Sequence, residues 1–116
     1  MSDFRVVTDI IEKCAIIRSE GYINNLGGEQ IADQCYKLID KGYRCFVLNL
    51  GKSKVVNSIG ISILIELIER ILEAEGKLAF SNLTPTVAKT FRIMGLLQYA
   101  ETFSEESTAV SALSER

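Results

Sequence analysis

The segment from Ile59 to Leu72 constrains this chain more than any other. Ile59, Ile61, Ile63, Leu64, Ile65, Leu67, Ile68, Ile71 and Leu72 recur along it, interrupted by Glu66, Glu69 and Arg70. At about 100° per residue these apolar side chains cover about two-thirds of a helical circumference. Ser62, Glu66, Glu69, Arg70 and Glu73 share the remaining arc. A surface helix needs an apolar stripe only somewhat wider than about 100°. A helix from Ser58 to Glu75-Gly76 must therefore be covered on more than one side, by a sheet with flanking helices, by a subunit or by a partner. It is too short and too interrupted to cross a bilayer, which takes about 20 apolar residues.

The flanking sequence supplies that sheet. Phe4 to Thr8 and Cys14 to Ser19 read as an N-terminal hairpin turning near Glu12-Lys13. Ile31, Cys35, Leu38 and Ile39 form one face of a first helix that closes at Lys41-Gly42. Arg44 to Leu50 is a compact apolar run suited to an interior strand. Gly51 to Asn57 reads as a loop, and Lys77 to Asn82 as a further strand. Thr84-Pro85 gives a cap followed by proline at the first helical position, so a third helix runs from Pro85 to about Met94 and closes at Gly95. A strand at Tyr99 to Phe103 and a helix from Glu105 to Leu113, capped by Ser104, complete the order β-β-α-β-α-β-α-β-α. The expected architecture is a single α/β domain over residues 1–116, a mixed and mainly parallel sheet of four to five strands with four helices.

Composition removes several kinds of chemistry. With 116 residues, one domain can bury a core without disulfides. The chain holds no histidine, so Ser-His and Cys-His nucleophile pairs and histidine-based zinc sites are excluded. A net charge of -2 argues against nucleic acid as a direct partner, because phosphate neutralisation needs clustered Lys and Arg. Cys14, Cys35 and Cys45 are odd in number and form no Cys-x-x-Cys pair, which favours reduced thiols in a cytoplasmic protein. Met1-Ser2-Asp3-Phe4-Arg5 has no secretory pattern, and membrane insertion is not expected. The sequence implies no cofactor, metal ligand set or catalytic residue.

Gly51-Lys52-Ser53 resembles the end of a phosphate-binding loop, but Phe46 stands where that loop needs its first glycine. Gly27-Gly28 lacks a dinucleotide pattern and reads as shaping the entry to the first helix. Cys35 lies on that helix's apolar stripe and Cys45 within a strand, so neither reads as a nucleophile.

Val55-Val56-Asn57-Ser58-Ile59-Gly60-Ile61-Ser62-Ile63-Leu64 remains, at the junction of the third strand and the second helix. It resembles the signature of STAS domains, especially the bacterial anti-sigma factor antagonists, in which two apolar residues precede Asp-Ser-Ser/Thr-Gly-Leu/Ile. The resemblance takes in the hairpin, Gly21-Tyr22-Ile23-Asn24, Leu48-Asn49-Leu50 and Met94-Gly95-Leu96. It implies that Ser58 is phosphorylated by a partner that is both anti-sigma factor and serine protein kinase. Asn57, Asn49 and Asn24 stand where the family favours Asp, and Ile59 where it favours Ser or Thr, so the local negative charge is lower.

Read from the residues alone, Ser58 is suited to cap the second helix. Gly60 leaves the helix start open to close approach by a partner. Asn24, Asn57, Ile59, Gly60, Ser62 and Glu66 are the interface candidates. Three functions stay open: a phosphorylation-switched antagonist, a STAS-like subunit of a transporter complex or sensory assembly with Ser58 only a cap, and a small nucleotide-binding or carboxylate-based enzyme. The wide apolar arc fits both a buried central helix and a homodimer.

Overall fold

The computed structural model describes residues 3–115; Met1, Ser2 and Arg116, which the single-domain reading included, lie outside them. The elements are β1 (Arg5–Ile11), β2 (Cys14–Glu20), α1 (Asn25–Asp40), β3 (Cys45–Lys52), α2 (Ser58–Glu73), β4 (Lys77–Ser81), α3 (Pro85–Ile93), a 3-10 turn (Leu96–Gln98), β5 (Glu101–Phe103) and α4 (Glu106–Ser114). They build one five-stranded sheet in the order β1-β2-β3-β4-β5. The first pair is antiparallel and the rest are parallel. The element order and the mainly parallel sheet are those expected from the sequence.

Alternation along the strands sorts side chains onto two unequal faces. Ala15, Ile17, Phe46, Leu48, Leu50, Leu78 and Phe80 pack with Ile31, Cys35 and Leu38 of α1, with Ile61, Leu64, Leu67, Ile68 and Ile71 of α2, and with Val87 and Phe91 of α3. The opposite face (Cys14, Ile16, Val47, Ala79) is covered by Ala109, Val110 and Leu113 of α4. One flank of α2 closes on α1, where Gly28 admits Ile63. The other flank opens into a groove of about 600 Å³ lined by Ile65, Leu72, Ile93, Met94 and Tyr99. The wide apolar arc of α2 is thus only partly covered: Ile59 and Leu72, at its two ends, stay 55% and 44% exposed.

Several local expectations need correction. The hairpin arms run to Ile11, because Glu12 and Lys13 both take left-handed backbone (φ 50° and 72°) and make a two-residue turn without Asn-Gly. β3 continues through Gly51 and Lys52 rather than giving way to a loop, held by the pairing of Glu20 with Lys52. Tyr99 closes the 3-10 turn, its N–H donating to Leu96 O, so β5 is shorter than expected. Ser104 does not cap α4; Glu105 occupies that position without a side-chain cap. The Glu106 carboxylate, in the first turn, is tied across to Arg18 and Asn49.

The thiol expectation also fails. Cys14 and Cys45 face each other in register on the parallel pair β2 and β3, with Cα atoms 4.6 Å apart, and are joined by a disulfide. Their separation of 31 residues carries no sign of this, because only strand register brings them together. Cys35 alone is free, and burial pushes its thiol up to about 12.

Candidate functional site

Two helix starts built to one local plan form the candidate site. α1 opens on Asn24-Asn25-Leu26-Gly27 and α2 on Asn57-Ser58-Ile59-Gly60, the first asparagine of each being the N-cap. In each, the asparagine Oδ1 accepts the glycine N–H, at 3.0 Å for Asn24 with Gly27 and 2.8 Å for Asn57 with Gly60. This satisfies one of the free amides of each first turn. Asn57 therefore caps α2, and the expectation that Ser58 does so is corrected. The asparagine amide oxygen reaches the third-position N–H from one residue earlier. Asparagine in place of aspartate keeps this acceptor oxygen and drops only the charge.

Backbone contacts lock the two starts together. Ile23 N–H donates to Val55 O at 2.9 Å, and Asn57 N–H donates to Ile23 O at 3.1 Å, closing a parallel bridge between Ile23 and Val56. Gly21 N–H donates to Lys52 O at 3.1 Å. A Cβ on Gly60 would stand 2.2 Å from Ile23 O. The glycine is buried and admits the chain's own β2–α1 connection.

This packing leaves a defined surface. Ser58, at the first helical position, is exposed, and no hydrogen bond to its hydroxyl is seen among the described residues. Its carbonyl accepts from Ser62 Oγ at 3.0 Å. Ile59, Ser62 and Glu66 are exposed at i, i+3 and i+7 and so share one face of α2. Asn24 and Asn57 are half-buried and committed to their caps. Sequence reasoning missed Tyr22, Leu26 and Val55, which are 46%, 53% and 56% exposed around the same two helix starts. Leu26 stands in α1 where Ile59 stands in α2, a repeat visible in the sequence as Asn-x-Leu/Ile-Gly.

Other candidates are structural. Ser53 is buried and hydrogen-bonded to Ser19 (Oγ to Oγ 2.8 Å), and Gly51-Lys52 lie in β3, so no helix follows to complete a phosphate loop. Asn49 donates to Glu106 Oε2 and accepts from Gly51 N–H at 3.0 Å. An aspartate there could accept but could not donate. Arg18 holds the same carboxylate through Nε at 2.7 Å and a second nitrogen at 2.9 Å. That forked contact keeps Glu106 below the ordinary carboxylate range despite partial burial. No group of acidic or cysteine side chains suited to a metal occurs among the described residues.

Comparison with known proteins places this architecture. The family model described as STAS domain matches residues 5–109. The chain belongs to the STAS domain family. The STAS domain is 26% identical over 108 residues to the "Putative anti-sigma factor antagonist BtrV" of Bordetella bronchiseptica, covering 93% of each protein. A crystal structure from Thermotoga maritima, given the same description, matches this STAS domain with TM-score 0.86 at 15% identity, over 96% of this chain and 95% of that one. The Bacillus cell fate determinant SpoIIAA in its phosphorylated form matches with TM-score 0.71 at 20% identity, over 94% and 98% of the two chains. These two structures show the shared fold. No helix in the described part of the STAS domain is long and apolar enough to cross a membrane.

Proposed function

We propose that this STAS domain is a phosphorylation-switched interaction module of the anti-sigma factor antagonist type. With Ser58 unmodified it binds an anti-sigma factor that is also a serine protein kinase; once Ser58 is phosphorylated, it lets go. Exposed Ser58 at the start of α2, left out of the cap, with Ile59, Leu26, Tyr22 and Val55 also exposed on the two joined helix starts and the segments leading into them, carries this reading. The apolar side chains offer a partner contact area, with Ser62 and Glu66 extending it along α2. Asn24, Asn57 and Gly60 shape that surface from beneath.

The energetics suit a switch. Phosphate would bring about 1.5 to 2 negative charges near neutral pH. At a helix N-terminus the dipole favours an anion by about 0.3 to 2 kcal/mol, so the domain keeps its shape. Burying an unmatched dianion against a partner costs several kcal/mol. With no histidine in the chain to activate the hydroxyl, the phosphoryl chemistry, ATP and Mg²⁺ belong to the kinase. The chain acts as substrate and binding surface in the cytoplasm, where sigma factors work.

The STAS domain should be isolated from its own cells with bound protein, the partner identified and the phosphorylated residues mapped. An anti-sigma kinase, with phosphate on Ser58, is the expected result. A transporter subunit as sole partner, with Ser58 never modified, would overturn it.

A further inference from the structure

The end of the sheet opposite Ser58 carries a second feature. A cavity of about 410 Å³ is lined by Lys13, Lys41, Arg44, Lys77, Cys45 and the single acid Glu75. This basic mouth stands out on a chain of net charge -2. Lys77 Nζ donates to Leu113 O at 3.0 Å, and Arg44 donates to the carbonyls of Ile39 and Tyr43 at 3.0 and 2.8 Å, so these two cations are fixed in place. Cys45, disulfide-bonded to Cys14, is half-buried and lines the cavity, whereas Cys14 is 1% exposed. Ser114 Oγ lies 3.6 Å from Cys14 Sγ.

We infer that the Cys14–Cys45 disulfide is a thiol-exchange site for anionic low-molecular-weight thiols, with Cys45 the sulfur attacked. The cations gather a carboxylate-bearing thiol and favour its thiolate. That thiolate attacks Cys45 Sγ and forms a mixed disulfide, and the electron pair of the broken S–S bond leaves on Cys14. Ser114 can donate a hydrogen bond to the departing thiolate. A second thiolate attacks the sulfur of the bound thiol and releases the external disulfide. The two protein thiolates then take protons from water, so two external thiols are oxidised as one protein disulfide is reduced. Cys35, buried in the other core with its thiol raised, takes no part.

The test uses the full chain with reduced glutathione and the neutral 2-mercaptoethanol, quenched with acid and mapped by peptide mass. The ratio of the two rates is compared with the same ratio on a small uncharged disulfide. The adduct should form on Cys45, and the ratio should exceed the reference by about tenfold, the lower end of electrostatic steering. It should fall toward the reference in about 1 M salt, where the Debye length is about 3 Å, and in Lys13→Ala/Lys41→Ala, whose substituted side chains are both exposed. The Cys14→Ser variant, with no neighbouring thiol to displace glutathione, should hold a stable glutathione adduct on Cys45 after exposure to oxidised glutathione. An adduct on Cys14, a ratio equal to the reference, a ratio unchanged in the lysine variant, or a Cys14→Ser chain that takes up no glutathione would each overturn the inference.

Discussion

The carbonyl oxygen of Ile23 stands 2.2 Å from where a Cβ on Gly60 would be, so the β2–α1 connection and the first turn of α2 share space that only glycine leaves free. In an ordinary helix, replacing glycine with alanine gains up to about 1 kcal/mol. Here the added methyl must push backbone against backbone, and overpacking of this kind costs about 1 to 3 kcal/mol. Gly60→Ala should lower the free energy of unfolding by about 2 kcal/mol in urea titration. Gly28→Ala should cost less, since its nearest neighbour is the Ile63 side chain at 3.2 Å, which can shift.

Capping and phosphorylation fall on adjacent residues and can be separated. Asn57→Ala should cost about 1 kcal/mol, the ordinary loss for an N-cap. Ser58→Ala, which removes no hydrogen bond among the described residues, should stay within about 0.5 kcal/mol of the parent. Equal losses from the two substitutions, measured by chemical denaturation, would return the cap to Ser58.

On the α4 side, the Glu106 carboxylate is held below its usual range by Arg18. A group whose folded pKa is depressed contributes stability above its unfolded pKa and loses it as pH falls through the folded one. The chain should lose this stability as pH falls below the ordinary carboxylate value of 4.5. Glu106→Gln should lower stability at neutral pH by about 1 kcal/mol, as a charge-assisted contact is removed, and flatten the acid limb. Asn49→Asp should also destabilise, because a donor to Glu106 is exchanged for a like charge. Thermal melts from pH 3 to 7 measure both effects.

The buried pair Ser19 and Ser53 offers a further check on the Gly51-Lys52-Ser53 segment. Ser53→Ala should cost about 1 to 3 kcal/mol by orphaning the Ser19 hydroxyl. The double substitution with Ser19→Ala should cost less than the sum of the singles, and a urea double-mutant cycle reads the difference. Additive losses would show that the two hydroxyls are not partners.

Much of this architecture was legible because it rests on local pattern. The apolar arc of Ile59 to Leu72 and the Thr84-Pro85 start of α3 carry their own periodicity and cap chemistry. The start of α2, on which the proposed site rests, was legible too, in Asn57-Ser58-Ile59-Gly60. Features set by register or by distant partners were not. Cys14 meets Cys45 only because β2 and β3 pair in parallel, and Glu106 meets Arg18 and Asn49 only because α4 packs back across the sheet. Gly60 reads as open space in the sequence because nothing there shows that Ile23 fills it. Tyr22, Leu26 and Val55 look like core residues by type, and only the packing of the two helix starts shows them facing outward.

The affinity of the anti-sigma kinase for the chain, unmodified and phosphorylated on Ser58, decides between a switch and a passive serine. Titration calorimetry of both forms, with urea unfolding of each alone, gives binding and stability together. Several kcal/mol of desolvation should weaken the phosphorylated form by about a hundredfold or more, at tenfold per 1.4 kcal/mol, with its unfolding free energy unchanged or slightly raised. Equal affinities, or a phosphorylated chain that binds weakly only because it has unfolded, would contradict the switch.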